Sequence, residues 1–197
     1  MKKLFLCFIA VCFALTSVAQ EQVATYHSSY FDKECDILAS NDDNQLSLYI
    51  EVRGEYNSDY VLFNIEGESK INSFISALEY TKEKFVEWSS VAKQNNVKSF
   101  DKDFDVTFPS ITIAWKGSEW RFDFYNKLKP RFVVTSSGEC VAVMTGKATA
   151  SNNEYIDQKY YFALSSVSDF DGLISEIKID ALKAHFNKKS DVGALFN

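Results

Sequence analysis

Near Ser69 the apolar residues of this 197-residue chain change period. Before that point Leu46, Leu48, Ile50 and Val52 alternate with Ser47, Tyr49, Glu51 and Arg53, the period of two that buries one face of a β-strand. Beyond it Ile71, Phe74, Ile75, Leu78, Phe85, Trp88 and the pair Val91/Ala92 recur at helical spacing, which predicts a helix from about Ser69 to Gln94. Asn95-Asn96 supplies its exit, since Asn tolerates the left-handed conformation that ends many helices. Upstream, Lys33 to Ser40 reads as a strand turned by Asn41–Asn44, and Tyr60 to Ile65 as another entered through a turn at Gly54–Asn57. Residues 20–32 are polar and predict a loose lead-in.

Three turn signals organise the segment from Phe104 to Thr145. Lys116-Gly117-Ser118-Glu119 predicts a two-residue type II′ hairpin, pairing Trp115 with Trp120, Ile113 with Phe122 and Ile111 with Phe124. A Ser137-Gly138 turn pairs Val134 with Val141 and Phe132 with Val143, and a loop at Asn126–Pro130 pairs Phe124 with Phe132. All three registers place the large apolar residues on one sheet face, and a slip of one residue would send them to the other. The paired Trp115 and Trp120 are then either core or, if exposed, a platform for a partner. Pro109 marks a bend before this meander.

After a polar loop at 147–153 comes a strand with Ile156, Tyr160, Phe162 and Leu164 on one side. Ser168-x-x-Asp171 resembles a capping box opening a second helix, with Phe170, Leu173, Ile174, Ile177 and Ala181 facing inward; residues from Lys188 onward look frayed. The order predicts an α+β fold: an antiparallel meander sheet of about six to eight strands with two helices packed on one face, as a single domain over 20–197.

Residues 1–19 read as an export signal: Lys2-Lys3, an apolar run from Leu4 to about Leu15, then Ser17-Val18-Ala19 with small residues where signal peptidase cuts. Val11 before Cys12 fits a lipid-attachment motif poorly. Export places the mature protein in the periplasm or outside the cell, and no later segment is apolar over the length a transmembrane helix needs. Cys35 and Cys140 remain after cleavage. In an oxidising compartment they form either a disulfide closing a loop of about one hundred residues, worth up to ~4.7 kcal/mol in the chain-entropy model, or two buried thiols.

Without residues 1–19 the chain carries 19 basic against 27 acidic side chains, a net charge of −8, which argues against a nucleic-acid partner. No two of its seven glycines are two residues apart, so the Rossmann and Walker A phosphate loops are absent and no cofactor is expected. Two histidines, His27 and His185, are little material for a His-centred triad or metal site. Asp101-x-Asp103-x-Asp105 resembles the start of a calcium loop, but Val106 and Thr112 stand where an EF-hand needs Gly and Glu. Neither a metal site nor a catalytic set is therefore assigned.

The predicted registers place Ser110, Tyr125, Arg131 and Met144 in one row on the face opposite the aromatic residues, with Thr112, Asp123, Val133 and Ala142 in the next and Arg121 beside them. Arg121, Asp123, Tyr125 and Arg131 thus form the candidate ligand-binding patch, suited to a carboxylate, sulfate or sugar. At Glu83–Lys93 (EKFVEWSSVAK), Phe108–Trp115 (FPSITIAW) and Lys127–Phe132 (KLKPRF) the chain resembles small exported proteins of Bacteroidetes with no assigned activity. That resemblance implies bacterial export and carries no catalytic residues. The expected function is a non-enzymatic exported binding or interaction module for a small molecule, a glycan or an envelope protein. Its alternatives are a secreted carboxylate-based hydrolase and a structural accessory of an envelope complex.

Overall fold

The computed structural model describes residues 20–42, 45–56 and 59–194, with side chains through Lys188; the expected export signal lies outside them. In chain order the elements are β1 (Glu21–Ser28), β2 (Lys33–Asp42), β3 (Gln45–Gly54), β4 (Tyr60–Glu66), α1 (Glu68–Gln94), β5 (Phe100–Asp103), β6 (Ile111–Lys116), β7 (Trp120–Asn126), β8 (Arg131–Val134), β9 (Cys140–Ala150), β10 (Asn153–Leu164), α2 (Val167–Glu176) and α3 (Ile179–Ala194). The fold is α+β with a mainly antiparallel sheet. Among the described residues it has ten strands and three helices, more of each than expected.

The extra elements have local causes. The supposed lead-in is β1, which pairs with β2 in a register from Glu21↔Ala39 to Ser28↔Lys33 and places Tyr26 opposite Cys35. Residues 147–150, read as loop, continue β9, because Ala148 and Ala150 face the core while Lys147 and Thr149 face out. The second helix is broken at Ile177-Lys178, and the break re-phases it: Leu182 is buried and Ala181 exposed. Its cap lies two residues earlier than expected, where Ser166 Oγ accepts the Asp169 amide at 3.1 Å. The buried Asp169 carboxylate accepts the Ser165 amide and the Ser29 and Ser166 hydroxyls, tying α2 to the β1–β2 turn.

The main sheet runs β5-β8-β9-β10-β3-β4-β6-β7, with β2 also on β3 and β1 outside it. It curls until β7 meets the β9–β10 turn, where the Ser151 amide donates to Phe122 O at 2.8 Å. Leu46, Leu48, Ile50 and Val52 line the inner face with Val61, Phe63, Ile65, Ile113 and Trp115. Helix α1 covers that face with Ile71, Phe74, Leu78 and Phe85. Gly67, at φ 89, makes the switch from β4 to α1 in a region that side chains disfavour. At the other end, Asn96 (φ 53) is left-handed, and the Asn96 and Val97 amides return to Lys93 O and Ala92 O in a Schellman motif, as the Asn-Asn exit predicted. Gly146 is needed for room, since its cross-strand partner Tyr160 lies where a β-carbon would stand.

The predicted meander is corrected in two of its turns. Lys116 pairs with Trp120, so the first hairpin loop has three residues, and Gly117 is not in the positive-φ conformation a II′ turn requires. Trp115 therefore pairs with Arg121, and Ala114 with Phe122. In the second turn Val134 pairs with Cys140 and Phe132 with Ala142, again one residue from expectation. The third correction is topological: β8 pairs with β5 and β9 and has no ladder with β7. Phe132 is still buried, ringed by Phe85, Trp88 and Phe104, but Phe122 and Phe124 are 39 % and 52 % exposed. Trp115 is core and Trp120 is not.

These positions differ in energetic weight. Phe132→Ala leaves a cavity at the centre of the ring cluster and is expected to cost ~3–5 kcal/mol, whereas Phe122→Ala should cost less than ~1 kcal/mol. Urea-denaturation midpoints of the two variants check this; equal losses would contradict the outward placement of Phe122.

Candidate functional site

The odd hairpin loop turns the alternating sequence of β7 over. Trp120, Phe122 and Phe124 stand on the outer face of the sheet, with centroids 6.5 and 6.1 Å apart and planes within 24° and 10° of parallel. Cross-strand pairing extends this stripe across the sheet. Leu62 lies between Glu51 and Ala114, with Phe122 beyond, and Tyr60 lies between Arg53 and Lys116, with Trp120 beyond. The Tyr60 ring packs edge-on against Trp120, and Lys116 Nζ sits 5.5 Å from the Trp120 centroid. Leu62 and Ala114 are buried although they point outward. The outer face thus carries an apolar strip with a partly exposed aromatic crest. Beside it, Asn64 donates Nδ2 to Glu66 at 3.1 Å, while its buried Oδ1 has no partner among the described residues.

The four residues expected to form a ligand patch do not share a surface. Arg121 and Asp123 lie on the inner side of β7 and help close the sheet. Asp123 Oδ2 accepts the Thr149 amide at 2.9 Å, and Arg121 pairs with Glu119 at 2.9 Å and reaches Asn152 Oδ1 at 3.5 Å. Tyr125 is 82 % exposed at φ 63, in an irregularity where Ile111 pairs with Asn126. Arg131 is on β8, where it pairs with Asp101 and, at 3.2 Å, with Asp103. Asp101 and Asp103 of the aspartate run thus lie on edge strand β5, both held by one guanidinium, and Asp105 lies beyond its end.

Several buried polar groups elsewhere are similarly committed. Glu51 accepts Lys33 Nζ at 2.7 Å and the Asp36 amide at 3.0 Å, and its carbonyl accepts the Tyr26 hydroxyl at 2.9 Å. Burial, with the Glu51 and Asp36 charges adding to it, pushes the Tyr60 hydroxyl up to about 12. Cys35 and Cys140 are separate buried thiols, so the disulfide alternative is not realised in this structure. Burial is also the main cause that pushes Cys35 up to about 11. His185 lies in α3, 3.6 Å from Glu21. Among the described residues no group of three His, Cys, Asp or Glu side chains is placed to hold a metal ion, and no helix is long and apolar enough to cross a membrane.

Sequence reasoning missed Phe122 and Phe124 as surface residues and left Trp120 open between core and an exposed platform; the structure exposes it. Alternation in β7 marks two faces without saying which is wet, and only loop parity decides it. Compared with known proteins, the chain matches no family model, and no curated protein or solved structure is similar to it.

The Cys35 thiol carries a pH signature. Its ionisation is favoured in the unfolded chain, where the ordinary value is 9.0, so its contribution to stability is complete below pH 9 and declines as pH rises towards 11. Tyr26, also raised by burial, acts in the same direction at higher pH. Urea midpoints should therefore fall between pH 8 and pH 10.5, and Cys35→Ala should flatten that fall. In the native state both thiols should resist iodoacetamide and react only on unfolding.

Proposed function

We propose that this protein is an exported, non-enzymatic binding module of a bacterial envelope, and that its contact surface is the aromatic crest of β7 with carbohydrate as the ligand. The observation that carries this reading is the parallel row Trp120–Phe122–Phe124, fixed on a sheet and left partly open to solvent. Aromatic rings held on a strand lose little conformational freedom on binding and offer broad apolar surface to the C–H faces of sugar rings. Arg53, Lys116 and Thr112, on the same outer face, supply polar groups within the neighbouring rows. Exposed apolar surface of this kind marks interaction sites. The buried carboxylates, by contrast, are taken up in ion pairs and backbone hydrogen bonds, which disfavours the hydrolase alternative.

Export rests on the basic, apolar and small-residue order of residues 1–19. Mass spectrometry of the protein from the periplasm or medium should show a chain beginning at Gln20, and removal of residues 2–19 should retain it in the cytoplasm.

Binding is tested by titrating soluble polysaccharides against the purified protein while following its melting temperature and tryptophan fluorescence. A ligand at 100 times its Kd should stabilise the fold by ~2.7 kcal/mol. The variant Trp120→Ser/Phe122→Ser/Phe124→Ser should melt close to the parent without ligand and lose that gain. A gain that survives in the variant, or none from any glycan, overturns the carbohydrate reading; capture of an envelope protein lost in the same variant would reassign the crest to a protein partner.

A further inference from the structure

A second surface feature lies at the opposite edge of the sheet, away from β7, and its residues are independent of the aromatic crest. Between the end of α1 and edge strand β5 the molecule has an apolar recess of about 240 Å³. Trp88, Val91 and Ala92 of α1 form one wall, Val97 and Phe100 the other, and Phe132 the floor. The Schellman motif explains the shape: it folds Val97 back over Ala92, and the small Ala92 side chain leaves the space open. Trp88 is held in place by stacking on Phe104 at 4.9 Å and by edge contact with Phe132. Such a volume suits a single ring or a short alkyl chain, since a cavity of ~150 Å³ accepts benzene.

Among the described residues one charged group lines this recess. Lys102 Nζ stands 4.4 Å from the Trp88 centroid. Strand parity determines its isolation. Asp101 and Asp103 point to the other face of β5, where Arg131 engages both, while Lys102 points inward with Phe100. No carboxylate lies within ion-pairing distance of Lys102 among the described residues, in a protein whose net charge is strongly negative. A cation with three donors and no anionic partner, beside an otherwise apolar hollow, is complementary to an anion with an apolar body.

We infer that this recess is a binding site for a small amphiphilic carboxylate, its apolar body between Trp88, Val97 and Phe100 and its carboxylate on Lys102. Octanoate is the probe, with octanol and octylamine as matched controls, on the full chain from Gln20 to Asn197. Octanoate should bind saturably and shift the Trp88 indole N–H and the Val97 amide in ¹H–¹⁵N spectra, leaving the Trp120 indole unmoved. Lys102→Met should weaken octanoate roughly three- to fivefold, the upper part of the range for an exposed ion pair, and leave octanol unchanged. Val91→Trp, at an exposed helix position, should block both probes without loss of fold. Absence of saturable binding overturns the inference, as does octylamine binding as tightly as octanoate, an unchanged octanoate affinity in Lys102→Met, or a shift confined to Trp120.

Discussion

The inner face of the curled sheet is dry because α1 lies against it, and the rest of the molecule is arranged around that contact. Among the described residues ten strands present two faces, but one long helix has only one apolar side to offer. The sheet answers by bending. β3 is bordered along one edge by β2 and then by β10, and β9 by β8 and then by the approach of β7. Phe63 meets Tyr160 and Phe162 from across the sheet, while Phe85 meets Phe132 and Phe170, so helix and strands share a single aromatic interior. Burial on this scale is the dominant favourable contribution to such a fold.

Closure at β7 is polar. There the inner positions of the strand are Arg121 and Asp123, and they bind the β9–β10 hairpin through its backbone amide and Asn152 instead of packing against it. With charged residues turned inward, the aromatic residues that alternate with them must face out. The exposed crest is therefore the geometric consequence of how the sheet closes. The same parity argument governs β5, where two aspartates turn outward and Lys102 faces the recess with no carboxylate beside it among the described residues. Two surfaces suited to different chemistry thus arise from one rule of strand geometry.

Much of this architecture was legible in advance. The period change at Ser69 located α1 to within a residue, the alternation of β3 identified its inner face, and Asn95-Asn96 marked the helix exit, all because those signals depend on neighbours within a few positions. The candidate patch was not legible. Its four residues were placed together by assuming that β7 and β8 pair, and by two turns whose loops each differ by one residue from the even count assumed. Phe132 kept its buried position under both registers because parity within its own strand was preserved, whereas Phe122 and Trp120 did not.

The amino-acid order alone determined which segments extend, which coil into helices and which residue types alternate, since each follows from local sterics and the spacing of apolar side chains. Tertiary structure alone decided which side of β7 meets water, that β8 joins β5 and β9, and that Lys102 has no carboxylate partner among the described residues. Those outcomes depend on loop parity and on strand neighbours distant in the chain, and a one-residue change in either exchanges inside for outside.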